Sequence, residues 1–273
     1  MGTETTSPPG TTIQRQLRPW QRLARRYDVR RSRHGRLPWL AYTLTATNIV
    51  ILAFLVFDTP LGQAAKNLSP RLIAVAGAVT DIGRLASILA AIAVVFAVSL
   101  SVIRRRSPAH RRYRTAHLIR IVAYVSLSVV STSIIVNLLK DAIGRARPLL
   151  YDQYGILGFE PFHGGFLFQS FPSAHSANVG VLFVALALLF PRFRLLFVGI
   201  GLWLGASRII IGVHYPSDVA AGLALGAWIA FAVAILFSRF GLVFSTGRDG
   251  WPRPRPNHGL RRSGDRRKSF KKL

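Results

Sequence analysis

The chain has 273 residues, with 36 Lys and Arg against 10 Asp and Glu, a formal net charge of +26, yet 51% of it is hydrophobic and its mean hydropathy is +0.34. Such charge suggests a nucleic-acid binder, but a basic soluble protein is not this apolar. The absence of Cys excludes disulfides, thiolate metal sites and a cysteine nucleophile.

In chain order, residues 1–37 form a basic arm whose first 14 positions, rich in Thr, Ser, Pro and Gly, are expected to be disordered. Met1-Gly2 with Thr6 fits a myristoylation pattern too short to weigh. Six apolar segments follow, at 38–57, 85–103, 118–139, 177–190, 195–211 and 219–237. Five have the length that spans a bilayer core at 1.5 Å rise per residue. The fourth is short, ends at Phe190-Pro191 and is expected to start nearer Ser173. A soluble domain of this size cannot bury six such segments, so the fold class is an all-α polytopic membrane protein of six transmembrane helices. The first segment is too long, and its basic lead too extended, for a cleaved signal peptide.

Between the first two segments, 58–84 carries the milder run Leu72–Val79, broken by Pro60, Gly62, Pro70, Gly77 and Gly83. It reads as interfacial helices and not as a seventh span. The membrane domain is thus 38–240, and 241–273 is a basic tail. Gly201-xxx-Gly205 and Gly222-xxx-Gly226 are small-residue pairs expected to bring the fifth and sixth helices together.

With six alternating helices, 28 of the 36 basic residues fall on one side of the membrane. Lys66, Arg71, Arg84, Lys140, Arg145, Arg147 and Arg208 fall on the other, nearly balanced by acids, and Arg120 snorkels from the third helix. The excess of positive charge places both termini in the cytoplasm. The basic runs report topology and suit anionic lipids; nucleic-acid binding is a minor reading of the two tails.

This orientation puts three polar clusters on the outer face: Lys140 to Pro148, Phe171 to Ser176, and Ser207 to Asp218. Lys140, Arg147 and Arg208 are cations with too few acids nearby to neutralise them, which suits an oxyanion. Ser173 and Pro216 mark helix starts, whose free N–H groups also favour an anion. His175 and His214 sit in that field, and Asp218, four residues after His214, is placed to accept its ring N–H. A histidine so oriented is a nucleophile or a base, and two of them can divide a phosphoryl transfer. Arg145 reads as an interfacial anchor paired with Asp141, and His163 as either a substrate contact or a surface residue. The surplus of cations disfavours a metal ion, and no cofactor is expected.

Lys140-(six residues)-Arg147-Pro148, Pro172-Ser173-Ala174-His175 and Ser207-Arg208-(five residues)-His214-(three residues)-Asp218 resemble, in order and spacing, the three-part signature of the type 2 phosphatidic acid phosphatase family. The resemblance covers 118–237; Ala174 stands where the family has Gly and retains the backbone N–H at negative φ. It implies a six-helix core and a metal-independent lipid phosphatase. His214 would attack phosphorus, Asp218 orient it and His175 protonate the leaving oxygen. Lys140, Arg147, Ser173, Ala174 and Arg208 would hold the phosphoryl oxygens.

The implied setting is a bacterial inner membrane with the site opening on the outer face. The implied substrates are undecaprenyl diphosphate, phosphatidate, phosphatidylglycerol phosphate or the phosphates of lipid A. The aromatics of loop 149–171 suit either a cap over lipid chains or simple anchoring. Two rivals are a lipid phosphotransferase sharing the phosphohistidine and, more distantly, a non-catalytic transporter.

Overall fold

An apolar segment in hydrocarbon can satisfy its peptide groups only within itself, as a helix, or in a closed barrel. The computed structural model, which describes residues 39–65, 85–104, 108–247 and 250–255, answers with helices. They are α1 (Trp39–Val56), α2 (Asp58–Ala64), α3 (Leu85–Arg104), α4 (Pro108–Ile143), the single turn α5 (Tyr151–Tyr154), α6 (Ala174–Leu189), α7 (Arg194–Ile210) and α8 (Pro216–Phe240). A small antiparallel hairpin follows, β1 (Phe244–Thr246) with β2 (Pro252–Pro254).

The fold is helical, as expected, and among the described residues five helices are long and apolar enough to cross a membrane: α1, α3, α4, α7 and α8. The sixth apolar segment, α6, has 16 residues and lies in the middle of the bundle. It begins at Ala174 because Ser173 caps it, the Ser173 hydroxyl accepting the Ser176 N–H at 3.4 Å. α4 is longer than the apolar run 118–139, starting at Pro108, since Pro is well suited to a first helical turn. It ends at Gly144, where φ is +61° and a Cβ would run into the Glu160 carbonyl.

The core lies between α4, α6 and α8, where Tyr124, Val129, Val181, Ala185, Ala230 and Ala234 are buried together. The Tyr124 hydroxyl donates to the Ala230 carbonyl (3.1 Å) and Ser133 to Asn178 (2.9 Å), so polar groups at this depth find partners. α1 buries no residue in this bundle and leans on α8 through Trp39, whose ring lies 5.4 Å from Trp228 and 5.6 Å from Phe231. The hairpin closes the opposite end from the polar clusters, burying Val243 and Phe244, with Phe244 against Tyr124.

The glycine pairs act on a different partner from the one expected. A Cβ at Gly222 would meet the Ser173 carbonyl, and one at Gly226 the Ala177 carbonyl, both belonging to the start of α6. Gly201 faces Phe183 of α6, and only Gly205, against Leu223, serves the approach of α7 to α8. Spacing shows that a helix has a smooth face, but not which neighbour has small residues to meet it. Here α6 does, with Ala174, Ala177 and Gly180.

Of the connection read as interfacial, only α2 is described; 66–84, the arm 1–37 and the tail beyond 255 lie outside the described residues. α2 starts directly after α1 and buries Asp58 and Gly62. The Gly226→Leu variant is expected to force α6 and α8 apart. Overpacking of this kind costs about 1–3 kcal/mol or more, read as a lower apparent melting temperature in detergent.

Candidate active site

The three clusters meet at one end of the bundle, and the loop between α4 and α6 holds them there. After Gly144 the chain runs extended between two parts of that loop. Ala146 donates to the Gly158 carbonyl (2.8 Å), Arg147 to Leu167 (2.9 Å) and Ser170 to Arg145 (3.0 Å). Lys140, near the end of α4, donates to the Gln169 carbonyl at 2.9 Å, and Arg147 Nη2 reaches the same oxygen at 3.3 Å. Two buried cations therefore share one acceptor. Arg147 also donates to Phe166 (2.8 Å) and Val213 (3.1 Å), and its guanidinium stacks 3.7 Å from the Phe166 ring.

Burial pushes Arg147 down to about 10; the Asp218 charge opposes this and the nearby Arg208 charge adds to it. It remains a cation at neutral pH. Arg208, half-buried at the end of α7, thus lies close enough to act on Arg147. Like charges gathered at this density are costly unless an anion joins them.

Near the cations, the starts of α6 and α8 are tied by the Ser173 N–H donating to the Asp218 carbonyl at 3.0 Å. Ser173 accepts from Ser176 through its hydroxyl (3.0 Å), which leaves its own proton to donate. Ala174 opens α6 and its φ is not positive, so the backbone there resembles that of any helix start, with N–H groups lacking intrahelical partners. His175, the next residue, is buried.

His214 and Asp218 approach through Nδ1 and Oδ2 at 3.6 Å, longer than a hydrogen bond. Ser170 sits between them, donating to Asp218 Oδ2 at 2.6 Å and lying 3.5 Å from His214 Nδ1. Asp218 Oδ2 also accepts the Tyr215 N–H at 2.9 Å, which caps α8. Burial pushes His214 down to about 4, with Asp218 pulling upward and Arg147 and Lys140 pushing further down. Its ring is neutral at physiological pH, as a nucleophile or base requires.

Arg145 is not an interfacial anchor and does not pair with Asp141. It is 1% exposed and donates through Nη1 to Asp218 Oδ1 (2.6 Å) and Ser217 Oγ (2.7 Å), and through Nη2 to Asp58 Oδ2 (2.8 Å). α4 ends at Ile143, so the i,i+4 geometry that would bring Asp141 to Arg145 does not exist there. Asp141 instead accepts from the Gln169 amide at 2.7 Å. Three rings surround the guanidinium: Tyr215 at 4.4 Å, Phe54 at 5.1 Å and Phe159 at 5.7 Å. Burial alone would weaken this cation, but the Asp218 and Asp58 carboxylates outweigh it and hold Arg145 more firmly protonated than an ordinary arginine.

Asp58 was missed by sequence reasoning, as were Ser170, Ser217 and the Gln169 carbonyl. It accepts the Ser217 N–H (3.0 Å) and hydroxyl (2.5 Å) besides Arg145. The one available signal was an acid directly after an apolar segment, at the membrane edge where a charge needs a partner. His163 is exposed, stacks 4.2 Å from Phe168 and lies 3.4 Å from the Glu160 carboxylate.

The sequence profile of the PAP2 superfamily matches residues 121–242, which contain all three clusters. The lipid A 1-phosphatase of Rhizobium johnstonii is 42% identical over 235 residues, covering 85% of this chain and 95% of that protein. The lipid A 1-phosphatase of Rhizobium etli is 39% identical over 223 residues, covering 79% and 92%. A solved PAP2-type phosphatidylglycerolphosphate phosphatase from Bacillus subtilis superposes with a TM-score of 0.49 at 23% identity, over 71% of this chain and 91% of that one.

The depressed His214 yields a test with a defined sign. Between about pH 6.5, the ordinary value, and about pH 4 the unfolded chain binds a proton at this residue that the folded chain does not. Its contribution to stability is present above that window and is lost as the pH falls through it. From pH 7 to pH 4.5 the wild type should lose about 2–3 kcal/mol more than the His214→Asn variant, read as a steeper fall in apparent melting temperature. Parallel melting curves for the two proteins would contradict the buried neutral ring.

Proposed function

The chain belongs to the PAP2 superfamily and is a membrane-embedded lipid phosphatase, and from that premise we propose that it removes the 1-phosphate of lipid A through a phosphohistidine on His214. The observation that carries the mechanism is the placement of His214: neutral, with Nδ1 turned to Asp218 and Ser170 and with the charges of Arg147 and Lys140 near enough to act on the ring. Nε2 is the nitrogen left to react.

The phosphate would lie between Lys140, Arg147, Arg208, the Ser173 hydroxyl and the first amides of α6 at Ala174. The Nε2 lone pair forms a bond to phosphorus as the bond to the lipid oxygen breaks, and His175 gives that oxygen a proton. His175 then takes a proton from water, whose oxygen attacks phosphorus and releases His214 and phosphate. The cations hold the charge that spreads over the phosphoryl oxygens in both steps, the main source of rate in such transfers. The reaction uses no metal ion or cofactor.

Lipid A as substrate is supported by the two relatives of that name, which match this chain along nearly their whole length. The rim of the site suits a lipid: Leu149, Leu157, Phe159, Phe162 and Phe166 are exposed on the loop that carries the acceptors for Lys140 and Arg147. We place the protein in a bacterial cell membrane with both termini cytoplasmic, anionic lipids at the basic segments and the site outside. The arginine distribution supports that orientation. The arm 1–37, membrane domain 38–240 and tail 241–273 remain our division of the chain.

Purified protein in detergent should release phosphate from lipid A faster than from phosphatidate, phosphatidylglycerol phosphate or undecaprenyl diphosphate. His214→Ala and His175→Ala should each lower turnover at least about a thousandfold, the order lost with a reacting group, while EDTA leaves it unchanged. Activity in His214→Ala would end the phosphohistidine mechanism, and dependence on a divalent ion would end the metal-free one.

A further inference from the structure

Arg145 poses an electrostatic problem for the reaction. When Nε2 takes the phosphoryl group, the His214 ring becomes a cation, and the group that should stabilise it is the Asp218 carboxylate. But Asp218 already holds Arg145 at 2.6 Å, in a place where neither is exposed to water. That pair alone has no net charge. The nearby charges of Lys140 and Arg147 oppose any positive charge on the ring.

We propose that Asp58 is a positioning residue for catalysis: its carboxylate offsets Arg145, so that the buried Asp58–Arg145–Asp218 group keeps one net negative charge beside His214 as the phosphohistidine forms. The proposal rests on the reading of His214 as nucleophile. It is carried by geometry. Arg145 uses separate nitrogens for the two acids, Nη1 for Asp218 and Nη2 for Asp58, so each carboxylate is engaged at once. Among the described residues, every hydrogen bond to Asp58 is donated to it, by Arg145, the Ser217 N–H and the Ser217 hydroxyl, which is the pattern of a carboxylate. Burial holds Asp58 above the usual carboxylate range, and the Ser217 and Arg145 donors limit that rise.

The arrangement also orients Asp218. Arg145 takes Oδ1, leaving Oδ2 to face Ser170 and His214. Ser217 donates to Asp58 and accepts from Arg145, so the α1–α2 corner, the strand-like segment after α4 and the start of α8 are locked as one unit. Asp58 lies outside residues 121–242, so the catalytic charge balance reaches beyond the segment matched by the family.

A purely structural Asp58 would cap α8 through the Ser217 N–H, a task Asn performs equally through its carbonyl oxygen. The charge separates the two roles. Turnover of a lipid phosphate that the wild type hydrolyses, lipid A or phosphatidate, is to be measured for Asp58→Asn, Asp58→Glu and the double variant Asp58→Asn/Arg145→Met, with melting temperatures beside it. Asp58→Asn should lower kcat at least about tenfold, the order expected on removing a charge a few Å away at an effective dielectric of about 20, with KM within about twofold. Asp58→Glu should recover most of that loss. The double variant should exceed Asp58→Asn severalfold, because Asp218 regains an uncompensated charge.

Wild-type kcat in Asp58→Asn would overturn the proposal, and so would a double variant that folds and is no better than the single one. If the double variant does not fold, a Glu variant as slow as Asn overturns it instead. His214→Ala is measured in parallel. Activity there removes the underlying reading, whereas an inactive His214→Ala beside a normal Asp58→Asn removes only the role of Asp58.

Discussion

One guanidinium, buried between two carboxylates and caged by three rings, organises the end of the bundle where the three polar clusters meet. Isolated ions are not tolerated at such depth, and breaking a buried pair by deleting one partner costs about 3–5 kcal/mol. The partners here come from α2, from the segment after α4 and from α8, so none of those elements moves without exposing an unpaired charge. The cations proposed to bind phosphate are held in the opposite manner, on backbone carbonyls of the connections around them. Carbonyls orient Lys140 and Arg147 without cancelling their charge, and the charge remains available to a ligand. Acids behind the histidine and carbonyls behind the cations together set up an electric field across one small site.

The helices supply the close approaches that this field needs. Gly222 and Gly226 let the start of α6 sit directly against α8, which brings the amide ends of both helices to the same level and lets Ser173 bond across to Asp218. A single larger side chain at either glycine would push the start of α6 away from α8. The peripheral helices α1 and α3 carry little of this burden, and their exposed Leu, Ile and Val face where hydrocarbon would be. α1 contributes through its end, where Asp58 begins α2.

The parts of the site legible in the sequence are those that helix geometry and spacing encode locally. Lys140 to Arg147, Ser173 to His175 and Arg208 to Asp218 each occupy a helix end, and hydropathy with arginine counting was enough to bring them together. Arg145 was misread because the helix period was continued past Ile143, where the chain turns at Gly144. Asp58 offered only its position, an acid directly after an apolar segment: its partner Ser217 is 159 residues away, and no local pattern announces such a contact. Ser170 was invisible for the same reason, being one serine in a loop whose fold depends on tertiary hydrogen bonds. The glycine faces were legible, but the helix they pack against was not.

The central claim is that His214 carries the phosphoryl group, and trapping that species tests it most directly. Enzyme mixed with lipid A bearing a labelled 1-phosphate, quenched within milliseconds in base and digested, should yield a labelled peptide containing His214. The label should be stable in alkali and lost in acid, as a phosphoramidate bond is, and absent from the Asn variant. A label on any other residue, or full turnover with no labelled peptide at any quench time, would contradict the account.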